Sequence, residues 1–248
     1  MGVFAMVQRL KLLRVFVPVL EPGPQELHGT EAHHLISVLR ARRGTPIEAF
    51  DGSGKVARGS VVKLHRSHLD MELGEPFDVQ RDPPTPLVAS VALLKGDKLA
   101  SVVKRLTEIG VTRIRLLVSD HCDVTSIRDY KLDRLQRIAV QAVKQSGRVR
   151  IPTVDAPRPV RDLPFCDLDF VASTSATMWP HEWAQPGANG HKSVGVWTGP
   201  EGGWSDLEVE WFESQQVNLV TLGGSTLRAE TAAVALAAHA APYVWTRT

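Results

Sequence analysis

Three prolines within four residues interrupt this chain after its first eighty residues. Residues 81–86 read Arg-Asp-Pro-Pro-Thr-Pro, and prolines at this density cannot lie inside a helix or a central strand. The segment therefore predicts a linker, with a small domain over residues 1–80 and a larger one over residues 87–248. A length of 248 residues suffices for two such domains.

Before the linker, the pattern is typical of a small β-rich domain. Short runs of apolar and alternating residues predict strands, and Asp-Gly-Ser-Gly at 51–54 predicts a turn between two of them. A stretch with Leu35, Ile36, Val38 and Leu39 predicts one helix. The predicted strands lie at 14–18, 47–50, 59–64 and 69–73, and the helix lies at 31–40.

After the linker, strand-like and helix-like segments alternate. Residues 87–94 form a near-continuous apolar run, as expected for a strand that is buried on both faces of a parallel sheet. The alternation predicts an α/β domain with a mostly parallel sheet. Further strands are predicted at 114–118, 170–173, 193–197 and 217–222, helix-capping residues at Asp97, Ser126 with Asp129 and Ser205 with Glu208, and an alanine-rich last helix at 231–240.

The charge is unevenly distributed along the chain. Residues 81–150 hold 14 Lys and Arg against 7 Asp and Glu, whereas residues 151–248 hold 5 against 11. A local basic field can attract a polyanion such as a nucleic acid. Solvated faces of long polar helices give the same pattern, so charge alone leaves both interpretations open.

The cysteines and the N-terminus favour a cytoplasmic protein. Cys122 and Cys166 have no partners at metal-binding spacing and make no disulfide framework. Arg9, Lys11 and Arg14 divide the apolar N-terminal stretch into runs that are too short for a signal peptide or a membrane span. We therefore expect a reducing compartment, no membrane anchor and no metal.

Two motifs look functional but have a simpler structural explanation. Residues 51–57 fit the glycine pattern of nucleotide-binding and class I methyltransferase domains, which requires a helix directly after the loop. The residues that follow predict a strand, so a β-hairpin turn is the better interpretation. His33-His34 and His65-x-x-His68 lack carboxylate or cysteine partners at matching spacing, which favours surface or packing histidines over a metal site.

Two glycine-rich turns are the strongest functional signals in the sequence. Gly199-Pro-Glu-Gly-Gly203 follows one predicted strand and precedes a capped helix, and its glycines let the backbone approach a ligand closely. Leu222-Gly-Gly-Ser-Thr-Leu-Arg-Ala-Glu-Thr231 follows the next strand and leads into the last helix. Because loops at the carboxyl ends of parallel strands face one crevice, these turns predict a ligand site between them.

This pair of motifs resembles the SPOUT superfamily of methyltransferases. More narrowly, it resembles the RsmE family, which methylates N3 of a uridine in 16S ribosomal RNA of the small subunit. The specific part is Gly-Pro-Glu-Gly-Gly at 199–203 with Leu-Gly-x-x-x-Leu-Arg-x-Glu-Thr-Ala at 222–232. The resemblance also covers His34 to Arg40, Phe50 to Gly52, Lys98 to Val111 and Gln145 to Pro152, whereas Asp120, His121, Lys144 and Gly224 depart from the family's pattern.

The resemblance implies a fold that the composition does not show. The larger domain is expected to be a SPOUT α/β domain with a deep trefoil knot over about residues 170–241, a rare exception to the rule against threaded chains. The smaller domain is expected to be a PUA-like β-barrel that binds RNA. The family is homodimeric, and the alanine-rich last helix suits close packing against a partner subunit.

S-adenosylmethionine (SAM) is the cofactor that the resemblance implies. In the family it binds in the knot and is held mostly by main-chain atoms, which accounts for the glycines. Carried over residue by residue, the resemblance places cofactor contacts at Ser173, Thr174, Gly199, Pro200, Glu201, Gly202, Gly203, Leu222, Gly223, Thr226, Leu227, Arg228 and Thr231.

Arg228 and Glu230 are the candidate catalytic side chains. As a fixed cation, Arg228 can bind a phosphate or stabilise negative charge on uracil O2 or O4, but it can equally form a structural ion pair with Glu201 or Glu230. Glu230 can accept a proton, or it can stabilise the N-terminus of its helix as a carboxylate. Candidate contacts to 16S rRNA are Arg40, Arg42, Lys98, Gln145, Arg148 and Arg150.

Two other functions are compatible with the same motifs. A SPOUT methyltransferase with a different RNA target would keep the cofactor loops and differ in the N-terminal domain. A catalytically inactive RNA-binding factor for ribosome assembly has no need of a cofactor crevice, so the intact loops favour an enzyme. Titration with SAM separates the enzyme from the inactive factor.

Overall fold

The computed structural model describes residues 12–183 and 190–245. The chain divides into two compact units, Met1–Arg81 and Asp82–Thr248. Among the described residues, no helix is both long enough and apolar enough to cross a membrane.

The predicted linker is anchored at its first two residues. Arg81 donates from its two Nη atoms to the two carboxylate oxygens of Glu48, at 2.5 and 2.8 Å, inside the first unit. Asp82 accepts a hydrogen bond from Nε of Arg148 at 2.6 Å inside the second unit. The boundary between the two units therefore lies between Arg81 and Asp82, and each of these residues bonds within its own unit.

The first unit is built on a six-stranded sheet. Its strands are β1 (Leu13–Phe16), β2 (Gly23–Leu27), β3 (Pro46–Phe50), β4 (Lys55–Leu64), β5 (Leu69–Leu73) and β6 (Phe77–Asp78). They lie in the order β1-β3-β4-β5-β2, with β6 paired to β4. β1 pairs with β3 in parallel, and the remaining pairs are antiparallel. The four predicted strands are confirmed; β2 and β6 were not predicted.

The helix of the first unit begins and ends earlier than predicted. Helix α1 spans Gly29–His33 and continues as a π-helical segment over His34–Val38. It buries Ala32 and Leu35 against the sheet. The predicted end at Arg40 is wrong, because Arg40 has a left-handed backbone with φ of 52° that a right-handed helix excludes.

Residues 51–57 form the predicted β-hairpin. Oδ1 of Asp51 accepts a hydrogen bond from the backbone amide of Ser53 at 2.9 Å, and Gly52 and Gly54 have φ of 90° and 110°. Strand β4 begins directly afterwards and pairs antiparallel with β3. A strand rather than a helix follows the glycines, so the class I methyltransferase interpretation is wrong.

The second unit is an α/β domain with a six-stranded parallel sheet, as predicted. Its strands are β7 (Leu87–Ala92), β8 (Arg113–Val118), β9 (Thr153–Pro159), β10 (Leu168–Ala172), β11 (Val194–Thr198) and β12 (Asn218–Val220), of which β9 was not predicted. They lie in the order β12-β10-β11-β7-β8-β9. Every residue of β7 and β11 is buried, which explains their continuous apolar sequences.

Helices cover the parallel sheet with apolar faces. They are α2 (Lys98–Ile109), α3 (Asp129–Ser146), α4 (Pro180–Trp183), α5 (Asp206–Ser214) and α6 (Ala229–Val244). Helix α2 packs against α3 and α6, and α6 also packs against β7, β10 and β11. One core cluster joins Leu106 of α2, Phe170 of β10 and Leu236 of α6. The predicted alanine-rich helix is confirmed and extends further at both ends.

One of the three predicted helix caps is confirmed in full. The backbone amide of Glu208 donates to Oγ of Ser205 at 3.2 Å, and Oε2 of Glu208 accepts from the backbone amide of Ser205 at 2.9 Å. Asp97 precedes α2 but makes no side-chain cap; it accepts from Arg134 instead. The capping box at Ser126 is wrong, because α3 begins only at Asp129 and has no side-chain cap.

Candidate active site

The carboxyl ends of three neighbouring strands form a cavity in the second unit. Strand β10 lies between β11 and β12, so the segment after β10 is flanked by the loops after the other two strands. Together these segments line a cavity of about 690 Å³. The two glycine-rich turns predicted a crevice, and the family resemblance placed Ser173 and Thr174 in it. The strand order shows that the end of β10 lies between the two turns.

The residues predicted to contact the cofactor line this cavity, with the exception of Thr231. Thr231 lies in the first turn of α6, outside the cavity lining. The lining residues that were predicted are Ser173 and Thr174 after β10, Gly199, Pro200, Glu201, Gly202 and Gly203 after β11, and Leu222, Gly223, Thr226, Leu227 and Arg228 after β12.

Three glycines of the loop after β11 have either little room for a side chain or a backbone that favours glycine. A Cβ atom on Gly199 would lie 3.2 Å from the indole of Trp204. A Cβ atom on Gly202 would lie 2.9 Å from Cβ of His121, closer than side chains tolerate. Gly203 has φ of 72°, in the left-handed region that favours glycine. The main chain of this loop is therefore packed tightly on one side and open to the cavity on the other.

The loop after β12 is held by the side chain of Thr221. The backbone amide of Gly223 donates to Oγ1 of Thr221 at 3.3 Å, and Oγ1 of Thr221 donates to the carbonyl of Gly223 at 3.2 Å. Gly223 has φ of 134°, which a residue with a Cβ atom rarely adopts. A Cβ atom on the next residue, Gly224, would meet nothing within 4 Å.

Lys98 connects two carboxylates at the cavity. Its Nζ lies 2.7 Å from Oε1 of Glu201 and 3.8 Å from Oε2 of Glu230. Partial burial by itself raises the pKa of Glu201, but the hydrogen bonds and charge of Lys98 and nearby backbone amides outweigh it and hold that pKa below its ordinary value. Lys98, which was predicted as an RNA contact, lines this cavity.

Arg228 presents an exposed cation at the same cavity. It is the N-terminal capping residue of α6, and its carbonyl accepts the first hydrogen bonds of that helix. Among the described residues it forms no ion pair with Glu201 or Glu230, because both carboxylates lie at Lys98. Glu230 is not part of the lining, and its buried Oε2 has no hydrogen-bond partner among the described residues.

The loop after β8 supports the glycine loop from outside the cavity. Nδ1 of His121 hydrogen-bonds to the carbonyl of Gly202 at 3.1 Å. Oδ2 of Asp120 accepts from Oγ of Ser205 at 2.6 Å, and the backbone amide of Asp120 donates to Oε1 of Glu208 at 3.0 Å. The two residues that depart from the family's pattern here therefore hold the 199–203 loop and the start of α5.

Sequence reasoning missed two side chains that flank the glycine motif. Thr198 is 2% exposed, lines the cavity, and has an Oγ1 atom without a hydrogen-bond partner among the described residues. Trp204 also lines the cavity, and its Nε1 donates to the carbonyl of Ala172 at the end of β10. Their position next to Gly199 and Gly203 was the available signal.

Arg148 is not an RNA contact, and that prediction is wrong. The residue is 4% exposed. Besides Asp82, its guanidinium donates from Nη1 to the carbonyls of Thr107 and Val111 at 2.5 and 2.8 Å. Burial lowers the pKa of Arg148, partly offset by the charge of Asp82. Arg148 is a structural cation of the second unit.

The remaining predicted RNA contacts are exposed. Arg40 and Arg42 follow α1 in the first unit, and Arg150 follows α3 in the second. Gln145 lines a groove of about 330 Å³ along α3. The other residues of this groove are Lys104, Arg134, Arg137, Ile138, Gln141 and Ala142.

Comparison with known families matches both units. The RNA methyltransferase domain family matches residues 81–241, and the RNA methyltransferase PUA domain family matches residues 27–73. The fold and the loops around the cavity therefore define an RNA methyltransferase.

Named relatives give a narrower assignment. Ribosomal RNA small subunit methyltransferase E from Synechocystis sp. is 32% identical over 84% of this chain and 69% of its own length. The protein of the same name from Mycobacterium tuberculosis is 30% identical over 85% of this chain and 83% of its own length. The chain belongs to the ribosomal RNA small subunit methyltransferase E (RsmE) family, which confirms the resemblance.

Solved structures agree with this assignment. Ribosomal RNA small subunit methyltransferase E from Neisseria gonorrhoeae, bound to S-adenosyl methionine, matches with a TM-score of 0.83 at 26% identity, over 94% of this chain and 98% of that chain. A putative methyltransferase from Legionella pneumophila, in complex with SAM, matches with a TM-score of 0.82 at 26% identity, over 93% of this chain and 98% of that chain. The predicted fold class is confirmed.

Proposed function

We propose that this chain transfers a methyl group from SAM to N3 of a uridine in 16S ribosomal RNA. The observation that carries the proposal is the cavity at the ends of β10, β11 and β12, which the two glycine motifs line. The names of the relatives support the substrate, and the SAM bound in two structural neighbours supports the cofactor. The family further supports a homodimer that acts in the cytoplasm on the small ribosomal subunit.

The residues around the cavity fit SAM. A volume of about 690 Å³ is within the usual range for a small-molecule site. The tight packing behind Gly199 and Gly202 leaves their main chain as the surface that a ligand meets. The hydroxyl of Thr198, which has no hydrogen-bond partner within residues 12–183 and 190–245, offers a buried hydrogen-bonding group to such a ligand.

The side chains of the site suit methylation of a uridine. SAM supplies an electrophilic methyl group when bound. N3 of the uridine must release its proton to solvent before it can accept that methyl group, so the chain must stabilise the uracil anion that forms. The exposed cation of Arg228 can stabilise negative charge on uracil O2 or O4. Glu230 does not line the cavity, so we assign it a positioning role: it lies against Lys98, which in turn holds Glu201 of the glycine loop.

The groove along α3 offers a surface for RNA phosphates. Lys104, Arg134 and Arg137 contribute three cations to its walls. Arg134 donates to Asp97 at 3.0 Å, but both side chains are more than half exposed, so this pair is weak and can exchange for a phosphate. Contacts of this kind supply affinity and salt dependence without sequence specificity.

Methyl transfer tests the proposed reaction directly. Small subunits from a strain that lacks the activity are incubated with labelled SAM and this protein, and their nucleosides are analysed. The expected product is 3-methyluridine at one site. SAM binding without label in the RNA would indicate another RNA target, and absence of SAM binding would overturn the proposal.

A pair of glycine variants tests the cavity itself. In Gly202→Ala, the new Cβ meets His121 at 2.9 Å, and a clash of this kind costs about 1–3 kcal/mol. We therefore expect SAM affinity to fall by about tenfold or more, measured by isothermal titration calorimetry. Gly224→Ala is the matched control, since its Cβ meets nothing within 4 Å; equal affinities in the two variants would contradict the assigned site.

A further inference from the structure

The turn between β4 and β5 carries a cluster of potential metal ligands in the first unit. His65 follows β4, His68 precedes β5, and Asp70 lies within β5. One ligand atom from each of these residues lies within 4.8 Å of the other two. The structure therefore corrects the sequence analysis, which found no carboxylate partner for these histidines.

The hairpin itself brings the three side chains together. The backbone amide of His65 donates to the carbonyl of His68 at 2.9 Å, so the two histidines face each other across the turn. His68 and Asp70 are two residues apart along an extended chain, which places their side chains on one face. The cluster is thus set by strand register and not by the chance approach of flexible side chains.

The carboxylate of Asp70 lies against both imidazoles. Nε2 of His65 is 3.1 Å from Oδ2 of Asp70, and Nε2 of His68 is 3.9 Å from Oδ1. The rings of His65 and His68 stack with centroids 4.0 Å apart and 8° between their planes. His28 from β2's end stacks on His68 at 5.0 Å, while its own Nε2 bonds to Glu26. The Nε2 atoms of His65 and His68 therefore both lie within 4 Å of the carboxylate of Asp70.

We propose that His65, His68 and Asp70 bind a divalent transition-metal cation, Zn²⁺ being the ion that fits best. Two imidazoles and one carboxylate are ligands that zinc accepts, with a fourth position left for water. The three side chains are between 26% and 34% exposed, so an ion can reach them from solvent. Bound zinc would replace the hydrogen bond between His65 and Asp70 and tie the end of β4 to the start of β5.

Zinc binding by the full-length, untagged protein tests this site. The chain is treated with a chelator, dialysed and titrated with Zn²⁺ by isothermal titration calorimetry. We expect one ion per chain, and an affinity at least about tenfold lower in His65→Ala and in His68→Ala. His34→Ala removes another exposed histidine of the same unit and is expected to bind as the wild type does. Unfolding curves of the metal-free variants show whether each one is folded.

A variant of Lys63 is expected to change the zinc affinity in the opposite direction. Lys63 lies directly opposite Asp70 in the register of β4 and β5, so its charge opposes a cation there. Lys63→Gln is expected to tighten zinc binding by about two- to fivefold, as for a partly exposed charge pair. Absence of zinc binding by the wild type, or equal affinity in the wild type and both histidine variants, would overturn the proposal.

Discussion

Glu48 is a buried carboxylate that depends on two arginines. It is 1% exposed, and Oε1 accepts from Nε of Arg14 at 3.2 Å in addition to the two bonds from Arg81. Burial by itself raises the pKa of Glu48, but the hydrogen bonds and charges of Arg81 and Arg14 outweigh it, so the pKa lies below its ordinary value of 4.5. The folded state therefore binds the proton of Glu48 less readily than the unfolded chain does.

The sign of this shift gives a pH prediction. Glu48 contributes stability above its ordinary pKa of 4.5, and that contribution is lost as the pH falls through the lower pKa of the folded state. At pH 7, Glu48→Gln is expected to lower the free energy of unfolding by about 1.5–3 kcal/mol, the value of charged hydrogen bonds. Urea unfolding followed by circular dichroism should show a smaller difference at acidic pH. Glu75→Gln, at an exposed position, is the control, and a pH-independent difference would contradict the prediction.

Single charged residues were the least predictable feature of the sequence. Lys98 and Arg148 both looked like RNA contacts, yet the carboxylates they bond to lie 103 and 66 residues away along the chain. No local pattern carries that information, because the partners meet only once the sheet has formed. The glycines of the cavity were predictable, since tight turns and close backbone approach require that residue type locally.

Helix α5 connects the glycine loop to the loop after β8. Oγ of Ser205 accepts from the backbone of Glu208 and donates to Asp120. Loss of an N-terminal cap costs about 0.5–2 kcal/mol, so Ser205→Ala is expected to lower stability by that amount in urea unfolding and to weaken SAM binding. Ser214→Ala is the matched control. Ser214 lies at the other end of α5, and among the described residues its hydroxyl bonds only to Trp211 and Gln215. Unchanged SAM binding in Ser205→Ala would show that the cap does not position the glycine loop.

Two missed strands show where element prediction fails. Strands β2 and β9 each lie at an edge of their sheet, as the strand orders show. Their sequences, Gly-Pro-Gln-Glu-Leu and Thr-Val-Asp-Ala-Pro-Arg-Pro, contain prolines and few apolar residues. Edge strands tolerate proline because one side of the backbone has no partner strand. The buried central strands, in contrast, were recognised from their continuous apolar sequences.

At the scale of the whole molecule, chain order and spatial order differ most in the second unit. Strand β11 lies between β10 and β7, although β8 and β9 come between β7 and β10 in the sequence. The sequence predicted that loops at strand ends would meet, since parallel strands share an edge. It did not predict which strands are neighbours, because pairing partners depend on the packing of the complete sheet. The crevice was therefore predictable from the two glycine-rich turns, whereas Ser173 and Thr174 after β10 were predicted only through the family resemblance.

The proposed homodimer makes a prediction for the surface of α6. Ala238 is exposed on this helix, where small side chains allow two subunits to approach closely. Ala238→Arg adds a long charged side chain, so we expect the dimer to dissociate while the monomer stays folded. Light scattering after size-exclusion chromatography measures the mass, and circular dichroism checks the fold. Thr153→Arg, at an exposed position on the edge strand β9, is the control. A dimer that persists in Ala238→Arg would place the interface on another face, and a monomeric wild type would contradict the dimer itself.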